Sequence, residues 1–132
     1  MSRANVEIVR QANALTNEGH LDAAFRLLHP EVKWVVAKEH PDARTIAGRE
    51  AVAQYQEDWQ QALPDVHFEA DRWVDAGERV VGIGTVRGTG AGSGADVRVP
   101  LAFVFTVQDR LITQVEEYID PTHALKAVGM EE

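Results

Sequence analysis

Residues 101–120, LAFVFTVQDRLITQVEEYID, hold two runs of alternating apolar residues with Gln108, Asp109 and Arg110 between them. Alternation with a period of two marks strands, and the short polar break makes them a hairpin. Val99, Leu101, Phe103, Phe105 and Val107 share one face of the first strand. On the second strand Leu111, Thr113, Val115, Glu117 and Ile119 share one face, and Ile112, Gln114, Glu116, Tyr118 and Asp120 the other. A slip of one residue swaps these faces. A two-residue loop, Asp109-Arg110, sets the Phe face beside Gln114, Glu116 and Tyr118. A three-residue loop, Gln108-Asp109-Arg110, sets it beside Leu111, Val115 and Ile119. The second choice joins two apolar stripes and is the expected register. Such a loop closes with a type I turn and a left-handed third residue. Arg110 is then expected at positive φ, a strain of about 1 kcal/mol relative to glycine.

That register places Glu117 on the apolar face, roughly opposite Leu101 and beside Val115 and Ile119. A carboxylate removed from water either finds a partner or holds its proton more tightly. Two readings stay open. In one, Glu117 faces a cavity and is tuned to exchange a proton at neutral pH. In the other, it lies at the sheet rim and pairs with Arg98 or Arg72.

The chain has 132 residues, enough for one domain with one core, and 1–132 is expected to be a single domain. A formal net charge of −8 argues against nucleic acid and against anionic membranes as partners. With no cysteine, thiolate metal sites, disulfides and Cys nucleophiles are excluded. No apolar run approaches the roughly 20 residues that span a bilayer. The opening MSRANVEIVRQANAL lacks a signal-peptide pattern, so a soluble, cytoplasmic protein is the expectation.

Along the chain, residues 4–18 read as an amphipathic helix stopped at Gly19. Residues 21–28 read as a short helix ended by Pro30, and 32–38, VKWVVAK, as a strand. Residues 39–45 read as a loop. Val52, Tyr55, Trp59 and Leu63 recur at helical spacing and place a helix over 48–63. Residues 66–74 and 79–88 read as strands around a turn at 75–78. Asp120-Pro121 reads as an N-cap with proline at the first helical position, opening a tail helix that stops at Gly129. Helices first and strands after give an α+β fold with helices covering one face of a curved sheet.

Several candidate motifs carry little. The run 88–94, GTGAGSG, lacks the Lys-Ser/Thr of a phosphate loop and precedes a strand, so it reads as a hairpin loop. His20, His29, His40, His67 and His123 show no ligand spacing, and no metal is expected. His40 with Glu39 reads as a solvated loop, with a proton relay at a pocket mouth as its alternative. Ser2 and Ser93 stand in no nucleophile context. Gly82 and Gly84 mark a bend, a close backbone approach or room for a ligand.

Local phrases add a resemblance. Gly19-His20-Leu21-Asp22-Ala23-Ala24, His29-Pro30-Glu31-Val32-Lys33-Trp34, Gly48-Arg49-Glu50-Ala51-Val52, Asp75-Ala76-Gly77-Glu78-Arg79-Val80 and Glu117-Tyr118-Ile119-Asp120 occur in this order. The chain resembles, over nearly its whole length, the SnoaL-like branch of the nuclear transport factor 2-like superfamily. The resemblance implies a cone-shaped α+β barrel, its curved mixed or antiparallel sheet wrapped around N-terminal helices. It also implies a pocket between sheet and helices, and frequent dimerisation through the outer sheet face. It implies no single activity. The acids and tyrosine of ketosteroid isomerases match Trp34, Ala12 and Phe103 here, so that constellation is absent. Limonene-type epoxide hydrolases and SnoaL-type cyclases keep an acid on the last strand, and Glu117 matches it. The hydrolases' Arg and second Asp belong on the strand at 80–88, which has no acid.

Two functions are therefore expected in competition. One is a cofactor-free isomerase, cyclase or hydrolase acting on a small hydrophobic carbonyl or polyketide-like compound. Glu117 would carry the proton, and Trp34, Tyr55, Trp59, Leu101, Phe103 and Val115 would line the site. No oxyanion donor is evident, because Tyr118 falls on the opposite face. The other is a non-catalytic ligand-binding or interaction module that dimerises through Val104, Ile112 and Tyr118. Phe103, where isomerases keep an acid, favours it.

Overall fold

The computed structural model describes residues 2–130. Helix α1 (Ser2–Asn17) buries Val9 and Ala12 and stops where Gly19 takes φ 82°. The His20 N–H then donates to the Leu15 carbonyl at 2.8 Å, closing the turn. Helix α2 (Leu21–Phe25) is shorter than its apolar stripe suggests. Leu28 instead begins strand β1 (Leu28–Val35) and is buried opposite Ile112. Pro30 disfavours helix at the residue before it, which frees Leu28 for the sheet. After β1 the chain forms the short strand β2 (Thr45–Ala47), which sits partly within the stretch expected to be a loop. Its three residues pair with Lys33, Trp34 and Val35.

Helix α3 (Arg49–Ala62) buries Val52 and Tyr55 and packs on β1. Strands β3 (His67–Ala76), β4 (Arg79–Thr89), β5 (Asp96–Gln108) and β6 (Leu111–Tyr118) follow. Helix α4 (Pro121–Ala127) is capped by Asp120, whose side chain accepts from the Thr122 N–H at 2.8 Å. The strand order is β2-β1-β6-β5-β4-β3, with β1 parallel to β6 and the other neighbours antiparallel. The fold is α+β, with N-terminal helices against a curved six-stranded sheet. The sheet is not closed into a barrel, because β2 and β3 remain as its edges.

The hairpin reaches the expected face by a different route. Its loop is the two-residue Asp109-Arg110, with Gln108 opposite Leu111. Both loop residues have positive φ, 51° and 68°, the signature of a type I′ turn. An extra residue, Thr113, then enters β6 between the pairs Val107–Ile112 and Thr106–Gln114. This bulge restores the apolar stripe, setting Phe105 opposite Val115 and Phe103, rather than Leu101, opposite Glu117. It also turns Ile112 inward, where it is 1% exposed in the main core.

That core lies between the sheet and the helices α1 and α3. A second cluster lies on the other face, where Ala124 and Leu125 of α4 cover Val81, Ala102 and Val104. The surface expected to mediate dimerisation is therefore altered. Ile112 faces inward, Val104 has no exposed area, and Tyr118 packs against the α4 cluster. Gly82 and Gly84 are close-approach positions and leave no ligand room. A Cβ on Gly84 would meet the Glu69 carbonyl at 1.9 Å, and one on Gly82 would meet the Trp73 ring at 2.6 Å. Run 88–94 forms the end of β4 and the β4–β5 hairpin loop, and the Ala91 N–H donates to the Ala62 carbonyl at the end of α3.

Candidate functional site

Parallel pairing of β1 with β6 sets Trp34 level with Val115, two residues before Glu117 on the same face. The indole therefore reaches the carboxylate, and Trp34 Nε1 donates to Glu117 Oε2 at 2.5 Å. Tyr55 comes down from α3, and its hydroxyl donates to the same oxygen at 2.8 Å. The chain leaves β1 after Val35, and the Ala37 N–H donates to Glu117 Oε1 at 3.3 Å. Glu117 is 9% exposed. Its donors are an indole, a phenol and a peptide, not a guanidinium, and Arg98 pairs instead with Asp96 at 3.1 Å. A buried carboxylate needs such donors, since an unsatisfied one costs several kcal/mol. Burial, and then the adjacent Glu117 charge, push the Tyr55 hydroxyl far above the usual tyrosine range. Tyr55 thus stays a neutral donor at physiological pH.

Glu117 lines a cavity of about 150 Å³ between α1, α3 and the sheet. Trp34, Tyr55, Trp59, Leu101, Phe103 and Val115 also line it. The rings form a connected wall. Trp34 stands 5.7 Å from Tyr55 and 6.0 Å from Phe103, centroid to centroid, and Tyr55 stands 6.5 Å from Trp59. Phe68 closes edge-on to Phe103 at 4.8 Å.

Sequence reasoning missed the polar part of the lining. Asn13, Thr16 and Asn17 of α1, Gln56 and Gln60 of α3, and His67 of β3 all border the cavity. Asn17 is tied to the strand, donating to the Phe68 carbonyl and accepting from the Phe68 N–H, both at 3.0 Å. Asn13 also donates to the Phe68 carbonyl. The visible signal was the i, i+4 spacing of these two Asn and of the two Gln, each on the edge of an apolar stripe. His67 bonds the Asp65 carbonyl and Glu69, and these contacts raise the pKa of its imidazole. His40 lies apart on an exposed turn, accepting from the Asp42 N–H. Among the described residues no group of three or more His, Cys, Asp or Glu side chains could hold a metal ion. No helix of the described residues is long and apolar enough to cross a membrane.

The fold has many counterparts. A protein from a soil-derived mobile gene cassette superposes with a TM-score of 0.79 at 19% identity, with 88% of each chain covered. A nuclear transport factor 2-like protein from Burkholderia xenovorans gives 0.74 at 25% identity, covering 97% of each chain. A proposed SnoaL-like polyketide cyclase from Jannaschia sp. gives 0.79 at 18% identity, covering 100% of this chain and 96% of its own. No curated protein matches this sequence. The family model of the SnoaL-like domain matches residues 9–115, ending two residues before Glu117. With that match over most of its length, the chain belongs to the SnoaL-like domain family.

Proposed function

We propose that this protein binds a small hydrophobic carbonyl compound in the cavity and moves a proton on it with Glu117, using side chains alone. The observation that supports this reading is a nearly buried carboxylate at an apolar cavity wall with a neutral phenol 2.8 Å away. Glu117 removes a proton from the carbon beside the carbonyl. The C–H pair moves into the new C=C bond, and the carbonyl pair moves onto oxygen. The developing oxyanion needs a donor in a dry site. Tyr55 supplies it, because protonation of Glu117 weakens the bond that had occupied the phenol O–H. Returning the proton at another carbon completes an isomerisation; attack of the enolate carbon on a second carbonyl of the substrate moves that carbonyl's pair onto its oxygen, and the alkoxide takes the proton back from Glu117 to complete a cyclisation. Trp34, Trp59, Leu101, Phe103 and Val115 hold the apolar body of the substrate. A cavity of about 150 Å³ favours a compound of one ring over a multi-ring polyketide.

A binding module without chemistry is the second reading. It is favoured by Phe103, which stands opposite Glu117 and matches a position where ketosteroid isomerases keep an acid. A homodimer through the outer sheet face belongs to either reading, on the surface α4 leaves open, and sedimentation of the full chain tests it. Deuterium uptake at the α-carbons of cyclopentanone in D2O separates the two functions. Proton transfer predicts exchange above background that falls sharply in Glu117→Gln and in Tyr55→Phe. Equal exchange in wild type and both folded variants would leave only the binding module.

A further inference from the structure

Among the described residues the cavity wall combines aromatic faces with one carboxylate, Glu117. A carboxylate offers about four lone-pair positions. Among the described residues three are used, two on Oε2 by Trp34 and Tyr55 and one on Oε1 by Ala37, the last at a long 3.3 Å. One acceptor position on the Oε1 side is left, on a residue that lines the cavity. All three fixed partners are donors, so the group is set up to be an acceptor. Around it stand the rings of Trp34, Tyr55, Trp59, Phe68 and Phe103, whose faces carry the negative end of the aromatic quadrupole. Arg44 is the cation seen against one of these rings, 5.7 Å from the Tyr55 centroid. It approaches from a separate outer depression and does not line the cavity. His67, which does line it, is already engaged by Asp65 and Glu69.

We propose that the cavity binds small tertiary alkylammonium cations, the single N–H donating to Glu117 Oε1 and the alkyl groups packing on the Trp34, Tyr55 and Phe103 rings. The fit is one donor to one vacant acceptor position. A primary ammonium would turn two further N–H groups towards the Trp34, Tyr55 and Phe103 rings beside Glu117, and a quaternary one would leave the carboxylate without its last bond. The volume admits a group of benzene size, which matches N-methylpyrrolidinium. This rests on the reading of the cavity as a ligand site and is independent of whether proton transfer occurs there.

The test titrates the full-length protein at neutral pH with N-methylpyrrolidinium, tetramethylammonium, methylammonium and neutral cyclopentanone. The readout is the Trp34 indole N–H signal in nitrogen-15 correlation spectra. N-Methylpyrrolidinium is expected to shift that signal saturably and to bind about tenfold or more tightly than tetramethylammonium or methylammonium. Glu117→Gln should weaken the tertiary cation at least about tenfold and cyclopentanone by less than about threefold. If that variant does not fold, Tyr55→Phe, which keeps the carboxylate, must still bind the cation. Saturable binding of cyclopentanone with none of N-methylpyrrolidinium would overturn the cation site while leaving the carbonyl reading intact. Equal affinity for all three cations would overturn it too, since bulk charge attraction would then suffice. No shift with any probe would overturn both readings.

Discussion

Replacing Tyr55 by Phe removes one oxygen and nothing else from the cavity wall. Tyr55 is 9% exposed, so bulk solvent has little access to the place of its hydroxyl. The lost bond is 2.8 Å long and ends on a carboxylate. Bonds of this kind contribute about 1.5–3 kcal/mol. Trp34 and Ala37 continue to donate to Glu117, so the carboxylate is not orphaned and the larger penalty for an unpaired buried charge does not arise. The ring contacts with Trp34 and Trp59 do not need the hydroxyl. The expected loss is therefore about 2 kcal/mol in urea unfolding at neutral pH, with an unchanged m-value. The same substitution made in Glu117→Gln should cost only about 1 kcal/mol, because a neutral carbonyl is the weaker acceptor. A single-variant cost below about 0.5 kcal/mol, or equal costs in the two backgrounds, would refute a hydrogen bond between this phenol and a buried carboxylate.

Further perturbations test the surrounding frame. Gly84→Ala drives a Cβ into the Glu69 backbone, which cannot swing aside, so a loss of about 3 kcal/mol or more is expected in denaturant unfolding; a neutral result would contradict the β3–β4 bulge. Asp109→Asn with Arg110→Gly suits a turn with two positive φ angles and should raise stability by about 1 kcal/mol; a loss would argue for a different loop. His67 carries a raised pKa, set first by the Asp65 carbonyl and then by Glu69. Its contribution is therefore full below the ordinary imidazole value of 6.5 and is lost as pH rises through the native value. Unfolding of His67→Gln should show its largest deficit near pH 5 and little near pH 9; a deficit that grows with pH would reverse that assignment.

How much was legible in the sequence depended on what each residue's signal was made of. Strands from 79 onwards announced themselves through period two, and α3 through Val52, Tyr55 and Trp59. Asp120-Pro121 fixed the start of α4 because its capping chemistry is local. Strand β2 has only Thr45, Ile46 and Ala47, too short for any period to show, and exists because β1 lies beside it. The inward face of Glu117 was inferred correctly from the need to join two apolar stripes, yet the three-residue loop used to reach it was wrong. A bulge at Thr113 has no signature in one sequence, since any residue can be the extra one. The aromatic wall could be guessed from large rings at helical spacing. The carboxylate's partners could not, because Trp34, Ala37 and Tyr55 lie 62 to 83 residues away from it.

Placement of a bound ligand against the cavity wall tests the central claim most directly. Isotope-edited nuclear Overhauser contacts should be recorded between cyclopentanone or N-methylpyrrolidinium and the protein. Contacts to the Trp34 indole and the Tyr55 and Phe103 rings are the predicted result. Contacts confined to the outer depression near Arg44 and Asp58, or to the glycine-rich loop, would contradict it.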